Sequence, residues 1–206
     1  RGAGDKLCAV RVGDTHYRTI WLAQDGRTVR VVDQTRLPHR FETLDLGSLG
    51  DAVRAIREMV VRGAPLIGVT AAYGVLLAMV EDPGDAHLER ALAELSAARP
   101  TAVNLRWALD AAASELRPLP PGERVEAARR LAGRLAEEDV EACERIGRHG
   151  LELIRGVAAA RRGEPVRILT HCNAGWLATV DWGTALAPIY KAHDAGIPVH
   201  VWVDET

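Results

Sequence analysis

VRILTHCNAG, residues 166–175, and GIPVHVWV, residues 196–203, frame a segment that reads as strand, helix, strand. Val166 to Thr170 is a short run of the buried-strand type, and Val199 to Val203 is a second one, almost wholly apolar. Between them lie a glycine-containing loop and a helical pattern from about Gly183 to Ala195. Gly196-Ile197-Pro198 ends that helix, because proline has no N–H to continue the ladder. Strand, helix and strand with short connections make one right-handed βαβ unit of a parallel sheet. A lone unit of this kind leaves sheet edges and a face uncovered, so the sequence predicts the beginning of a larger α/β domain. Asp204-Glu205-Thr206 reads as the opening of a further loop, and more chain is expected after it.

Upstream, the texture is helical. Tyr17 to Gln24 (YRTIWLAQ) and Thr28 to Asp33 (TVRVVD) are β-branched and aromatic, and Asp25-Gly26 between them tolerates the positive φ of a tight turn. A β-hairpin is expected there. Ser48 is placed to cap a helix carrying Ala52, Ala55, Ile56 and Met59 at helical spacing. Further helices are predicted over about Pro65 to Val80, Asp85 to Ala98, Ala102 to Leu116, and Glu123 to Ala160 with interruptions. Pro118 to Gly122 (PLPPG) is read as a connector. The expected fold is α/β. Residues 1–135 form a β-hairpin plus helical domain with a small sheet. Residues 136–206 form a linking helix and the first βαβ part of a truncated, Rossmann-like parallel-sheet domain.

Composition narrows the function classes. Lys plus Arg is 26 and Asp plus Glu is 28, a formal charge of −2 that argues against nucleic acid or an anionic membrane surface as partner. Cys8, Cys143 and Cys172 are odd in number and widely spaced, matching neither a zinc site nor a disulfide framework and suiting a reducing cytoplasm. No apolar run is expected to approach the roughly 20 residues of a membrane helix. Arg1-Gly-Ala-Gly-Asp5 does not read as a secretory signal, and it lacks an initiator Met, so the natural N-terminus is expected upstream.

Three segments could carry chemistry. Arg62-Gly63-Ala64-Pro65 opens a helix, where small residues let a ligand approach the backbone and the helix dipole attracts an anion; Arg62 adds a fork suited to phosphate. The same residues also suit a plain helix–helix turn. Arg99-Pro100-Thr101 stands at the next such junction, with Thr101 able to cap, and a simple capped start is an equal reading. Thr170-His171-Cys172-Asn173-Ala174-Gly175 follows a strand, where open α/β sheets bind ligands. Its thiol could do acid–base or nucleophilic work, or Cys172 could simply pack while His171 is solvated. Asp181 and His193 have no spacing that singles them out.

Taken together, VVDQTRLPH (31–39), MVVRGAPLIGVTAAYG (59–74), RPTAVNLRWAL (99–109) and LTHCNAGWLATVDWGTALAPIY (169–190) resemble the S-methyl-5-thioribose-1-phosphate isomerase family, in the same order. The resemblance runs from about Tyr17 to Thr206. That family shares its fold with regulatory subunits of the eukaryotic translation-initiation guanine-nucleotide exchange factor, and is related to ribose-1,5-bisphosphate and 5-deoxyribose-1-phosphate isomerases. The resemblance implies an aldose–ketose isomerase of methionine salvage acting on a phosphorylated pentose, a cytoplasmic homodimer with no cofactor or metal. It assigns substrate binding to Arg62, Gly63, Ala64 and Arg99, and work at the reacting carbons to Cys172. The family's acid–base Asp in a GAD segment, a substrate-binding Gln and an Asn-Lys pair are not among these 206 residues, so the chain alone is expected to be inactive. A sister isomerase and a non-catalytic regulatory module remain open.

Overall fold

The computed structural model describes residues 10–161 and 163–204. In chain order the elements are β1 (Arg11–Val12), β2 (Thr15–His16), β3 (Ile20–Leu22), β4 (Val29–Val32), β5 (Thr43–Leu46), α1 (Leu49–Arg57), α2 (Ala64–Glu81), α3 (Asp85–Ala98), α4 (Val103–Leu116), α5 (Pro121–Ala160), β6 (Val166–Thr170), α6 (Ala187–Asp194) and β7 (Val199–Val203), with a 3-10 turn at Trp176–Ala178. The architecture is mixed α/β. The chain divides into two compact units, Thr19–Glu138 and Asp139–Thr206, and residues 10–18 cluster with the second. The division falls inside α5.

In the first unit, β3 and β4 form the expected antiparallel hairpin, with Ile20 opposite Val31 and Leu22 opposite Val29. Gly26 takes φ +66° in the turn. The Asp25 carboxylate accepts the Thr28 hydroxyl at 2.6 Å and the amides of Arg27 and Thr28 at 2.9 Å. Those bonds, the Thr28 hydroxyl foremost, hold its pKa at about 2. A third strand, β5, pairs with β4, Val29 opposite Leu46. Only Leu46 of β5 is buried, so it lacks the apolar pattern that marks a strand in sequence.

Ser48 caps α1, its hydroxyl accepting the Asp51 amide at 3.1 Å. Leu49, Ala52, Val53, Ala55 and Ile56 form the buried face. Met59 does not extend that face: it lies beyond the helix end at φ +59° and is 48% exposed. α2 is the centre of the unit, with fourteen buried residues from Leu66 to Met79. Contrary to the sequence expectation, α2 is long and apolar enough to cross a membrane by length and composition, but 78% of it is buried inside the protein, as a core helix is. Two glycines set how closely its neighbours approach. A Cβ on Gly68 would stand 2.9 Å from the Asn104 carbonyl oxygen of α4, and one on Gly74 would meet Ala52 of α1 and Leu95 of α3 at 3.0 Å. Arg124, 3% exposed, then ties the helix ends together. Its Nε donates to the Leu116 and Leu119 carbonyls at 3.1 and 3.0 Å, one terminal nitrogen donates to Pro83 at 2.9 Å, and the other pairs with Asp85.

Two helix starts differ from expectation. Thr101 does not cap α4, whose cap position is Ala102 with no side-chain bond. Pro121-Gly122 is not connector but the start of α5, where a proline's missing N–H costs nothing. The expected interruptions of α5 are absent and it runs unbroken for 40 residues. Ion pairs one turn apart support it, among them Arg145–Glu141 at 3.6 Å and Arg148–Glu144 at 2.8 Å. Two of its five glycines are contact points rather than breaks. A Cβ on Gly147 would meet the Lys191 side chain at 2.7 Å, and one on Gly150 would meet Pro188 at 2.4 Å, both from α6.

In the second unit, β6 and β7 pair in parallel, Val166 opposite Val199 and Thr170 opposite Val203. α6 begins later than the sequence pattern suggested, since residues 183–186 form a turn before it. Lys191 is fully buried, with Nζ 3.0 Å from Glu144 and 4.0 Å from the centre of the Trp182 ring. A buried ammonium needs such partners. β7 is not the fully covered strand its composition suggests. Leu169 and Trp202, paired in register, are 59% and 58% exposed.

Candidate active site

In the first unit, the chain leaves α1 through Met59 and two buried valines, and Gln34 N–H holds the Val60 carbonyl at 3.0 Å. Gly63 follows at φ +95°, ψ 140°, a conformation open in practice only to glycine, and occupies the cap position of α2. No side chain caps the first turn of α2, and Ala64 and Pro65 present little bulk there. Arg62 is exposed beside it. Arg99 closes α3 at φ −147°, its carbonyl accepting the Ala102 amide at 3.0 Å just before α4, which also starts uncapped. The Gly68–Asn104 approach sets the fifth residue of α2 against the second of α4. Thus Arg62, Gly63 and Ala64 stand at the uncapped start of α2, and Arg99 just before the uncapped start of α4. Neither guanidinium has a carboxylate partner among the described residues, whereas Arg30, Arg54 and Arg117 each do. Uncapped N–H groups, two helix dipoles and two unengaged guanidinium groups are the ingredients of an oxyanion site.

In the second unit, Cys172 lies just beyond the C-terminal end of β6 and is exposed. Its φ of +58° is strained for a residue with a side chain, a cost of about 1 kcal/mol. It lines a cleft of about 220 Å³ with Thr170, Asn173, Gly175, Leu186, Tyr190 and Val203 among its walls. The Thr170 hydroxyl is buried there with no hydrogen-bond partner. Burial raises the Tyr190 pKa, which keeps its hydroxyl protonated as a donor. His171 points elsewhere in role: it does not line the cleft, and its Nδ1 pairs with Asp204 Oδ2 at 2.9 Å.

The loop is held from behind. Ala174's carbonyl accepts the Thr184 amide at 3.1 Å and the Leu186 amide at 3.4 Å. Gly183, at φ +81°, sits so tightly on Gly175 that a Cβ would lie 2.4 Å from the Gly175 carbonyl carbon. Asp181, which sequence spacing did not single out, is 1% exposed and forms bonds to His16 and to the Trp182 amide. Nothing in the local pattern marks it, because its partner is 165 residues away. Cys143 is buried, as its helical position implied, and burial pushes its thiol up to about 12. Cys8 lies outside the described residues. Among the described residues no group of three His, Cys, Asp or Glu side chains is arranged to hold a metal.

Residues 60–206 match the model of the initiation factor 2 subunit family, a span that holds Arg62, Arg99 and Cys172. The chain belongs to that family. Among its curated relatives, the methylthioribose-1-phosphate isomerase of Brucella anthropi is 61% identical over 198 residues, covering 96% of this chain and 54% of the relative. The enzyme of that name from Sinorhizobium medicae is 60% identical over 198 residues, with the same coverage of each chain. This family member thus spans about half the length of the curated relatives it matches. Of solved structures, 5-methylthioribose 1-phosphate isomerase from Pyrococcus horikoshii superposes with a TM-score of 0.78 at 34% identity, over 91% of this chain and 52% of that one. The delta subunit of translation initiation factor eIF-2B from A. fulgidus gives 0.76 at 35% identity, over 91% and 54%.

Proposed function

We propose that this protein is an aldose–ketose isomerase converting S-methyl-5-thioribose 1-phosphate to S-methyl-5-thioribulose 1-phosphate, a step of methionine salvage. The observation that carries the reading is Cys172, held at a strained φ of +58° at the mouth of a cleft beyond a parallel strand. The roughly 60% identity to relatives named for this reaction supports it.

The substrate's anomeric oxygen carries phosphate, so the sugar cannot present a free aldehyde without help. Arg62, Arg99 and the backbone of Gly63 and Ala64 bind the phosphate, and their charge and dipoles fix the sugar's orientation. The bond between C1 and the ring oxygen breaks and that oxygen takes up a proton, the C2 hydroxyl gives up its proton, and the hydrogen on C2 moves to C1, leaving a ketone at C2. Cys172 acts on C1 and C2 as an acid–base or stabilising group, from a cleft walled in part by the apolar Leu186 and Val203. The β6–α6–β7 segment is the opening part of a Rossmann-like sheet in this reading, and the free Cys143 and Cys172 thiols suit the cytoplasm.

The test is direct. The complete protein, since these 206 residues alone are expected to be inactive, is assayed for ketose formation from methylthioribose 1-phosphate, and in parallel with 5-deoxyribose 1-phosphate and ribose 1,5-bisphosphate. Cys172→Ser is expected to lower kcat by about a hundredfold or more with KM little changed. Turnover confined to one of the other sugars moves the assignment to a sister isomerase. A second reading, a non-catalytic phosphate-binding subunit, draws on the equally close likeness to the eIF-2B delta structure. It predicts sugar-phosphate binding without turnover.

A further inference from the structure

The residues that hold the Cys172 loop from behind form a continuous chain of contacts that ends at the N-terminal hairpin. Ala174 and Gly175 of the loop rest on residues 183–186, through the Ala174 carbonyl and the Gly175–Gly183 approach of 2.4 Å to an added Cβ. Residues 179–183 are in turn hung from two acids. The Val180 amide donates to Asp139 Oδ2 at 2.7 Å, and the Trp182 amide donates to Asp181 Oδ1 at 2.8 Å. The Thr179 hydroxyl closes the turn, donating to the Asp181 carbonyl at 2.9 Å and accepting the Gly183 amide at 3.1 Å. Trp182 is kept at φ +69° by this arrangement, a costly conformation for a bulky residue. The remaining Asp181 oxygen, Oδ2, is 2.6 Å from His16 Nε2 on β2. With its carboxylate 2% exposed, Asp181 has little water to replace that partner.

The geometry points to Asp181 and His16 as positioning residues for the Cys172 loop. His16 lies outside the residues 60–206 that match the family, so the hairpin contributes to a site that the matched segment does not complete by itself. The buried carboxylate fixes the 181–183 turn, and the imidazole 44% exposed on the surface side fixes the carboxylate. The backbone at Gly183 then leaves Gly175 one position to occupy, and with it Cys172.

The experiment compares His16→Ala, His16→Gln and Asp181→Asn by amide hydrogen exchange and by steady-state kinetics. Only the kinetic arm rests on the isomerase reading. In His16→Ala the amides of Val180, Trp182, Gly183, Thr184 and Leu186, whose bonds hold the loop from behind, are expected to exchange about tenfold faster, while those of α2 are unchanged. His16→Gln, whose amide nitrogen can stand where Nε2 does, restores most of the protection. Turnover falls in His16→Ala with KM within about twofold, because phosphate is held by other residues, and His16→Gln recovers it. Faster exchange confined to residues 10–18, or a faster-exchanging loop with unchanged kcat, overturns the positioning role. If Asp181→Asn fails to fold, the two His16 variants still decide the matter. Should the complete protein turn over no sugar phosphate, the isomerase reading fails and the exchange result alone judges this inference.

Discussion

Gly183→Ala tests the tightest backbone approach in the candidate site. At φ +81° an added methyl group introduces strain of about 1–2 kcal/mol. The same methyl carbon would stand 2.4 Å from the Gly175 carbonyl carbon and 2.7 Å from both the Gly175 Cα and the Trp176 nitrogen. Ordinary carbon contacts begin near 3.5 Å, so two backbone segments must separate by about 1 Å, with no flexible side chain to yield. Overpacking of this kind costs about 1–3 kcal/mol. The total is about 3 kcal/mol, which lowers Tm by roughly 6–12 °C for a chain of this size. Gly175→Ala provides the contrast. Its φ is −95°, open to any residue, and the nearest atom to its methyl is the end of the Leu186 side chain at 2.7 Å, which can turn away. We expect about 1 kcal/mol or less there. Thermal unfolding of both variants, followed by circular dichroism, makes the comparison. A Gly183→Ala protein that melts within about 2 °C of the unaltered one, or equal losses in the two variants, would refute the reasoning.

Other outcomes follow from the same structure. Arg124→Ala should lower stability by about 2 kcal/mol or more in denaturant unfolding, since it takes a donor from the Leu119 and Pro83 carbonyls while Leu116 keeps the Leu119 amide. Asp85→Asn should cost under about 1 kcal/mol, because Asp85 is 84% exposed. Burial raises the Asp139 pKa above 3.8, so stability is fullest below that pH and is lost as pH rises through the folded pKa. Asp139→Asn, which keeps an acceptor for the Val180 amide, should therefore raise Tm at pH 7 and lose that advantage below pH 3.8. With iodoacetamide at pH 8, mass spectrometry should find Cys172 alkylated and Cys143, held near 12, untouched until the protein unfolds. Arg62→Ala and Arg99→Ala should each weaken binding of inorganic phosphate about tenfold or more by calorimetry, with Tm unchanged.

The elements legible in the sequence were those whose burial follows a single period. β6, β7 and α3 stand where strand and helix patterns placed them, since each keeps its own alternation or turn of apolar residues. β5 escaped because three of its four residues face solvent and its pairing with β4 is what makes it a strand. α5, read in sequence with interruptions, runs unbroken, and two of its glycines, Gly147 and Gly150, let α6 lie close. The candidate site divides in the same way. Arg62, Gly63 and Cys172 sit in short motifs at element ends, where local sequence carries the signal. Asp181 and His16 act on each other from opposite ends of the chain, and no local pattern encodes a bond across 165 residues.

The apolar centre of the first unit also bears on how this protein is made. α2 carries no charge before Glu81, and its mean hydropathy of 1.6 would suit a lipid-crossing segment. It leaves the ribosome after the β3–β5 sheet and α1, but before α3 and α4, two of the helices that cover it. For some tens of residues of synthesis, on the order of seconds at 5–20 residues per second, an 18-residue greasy rod has only one side sheltered. That interval invites capture by chaperones or by the membrane-insertion machinery, and slow decoding of residues 82–116 would lengthen it.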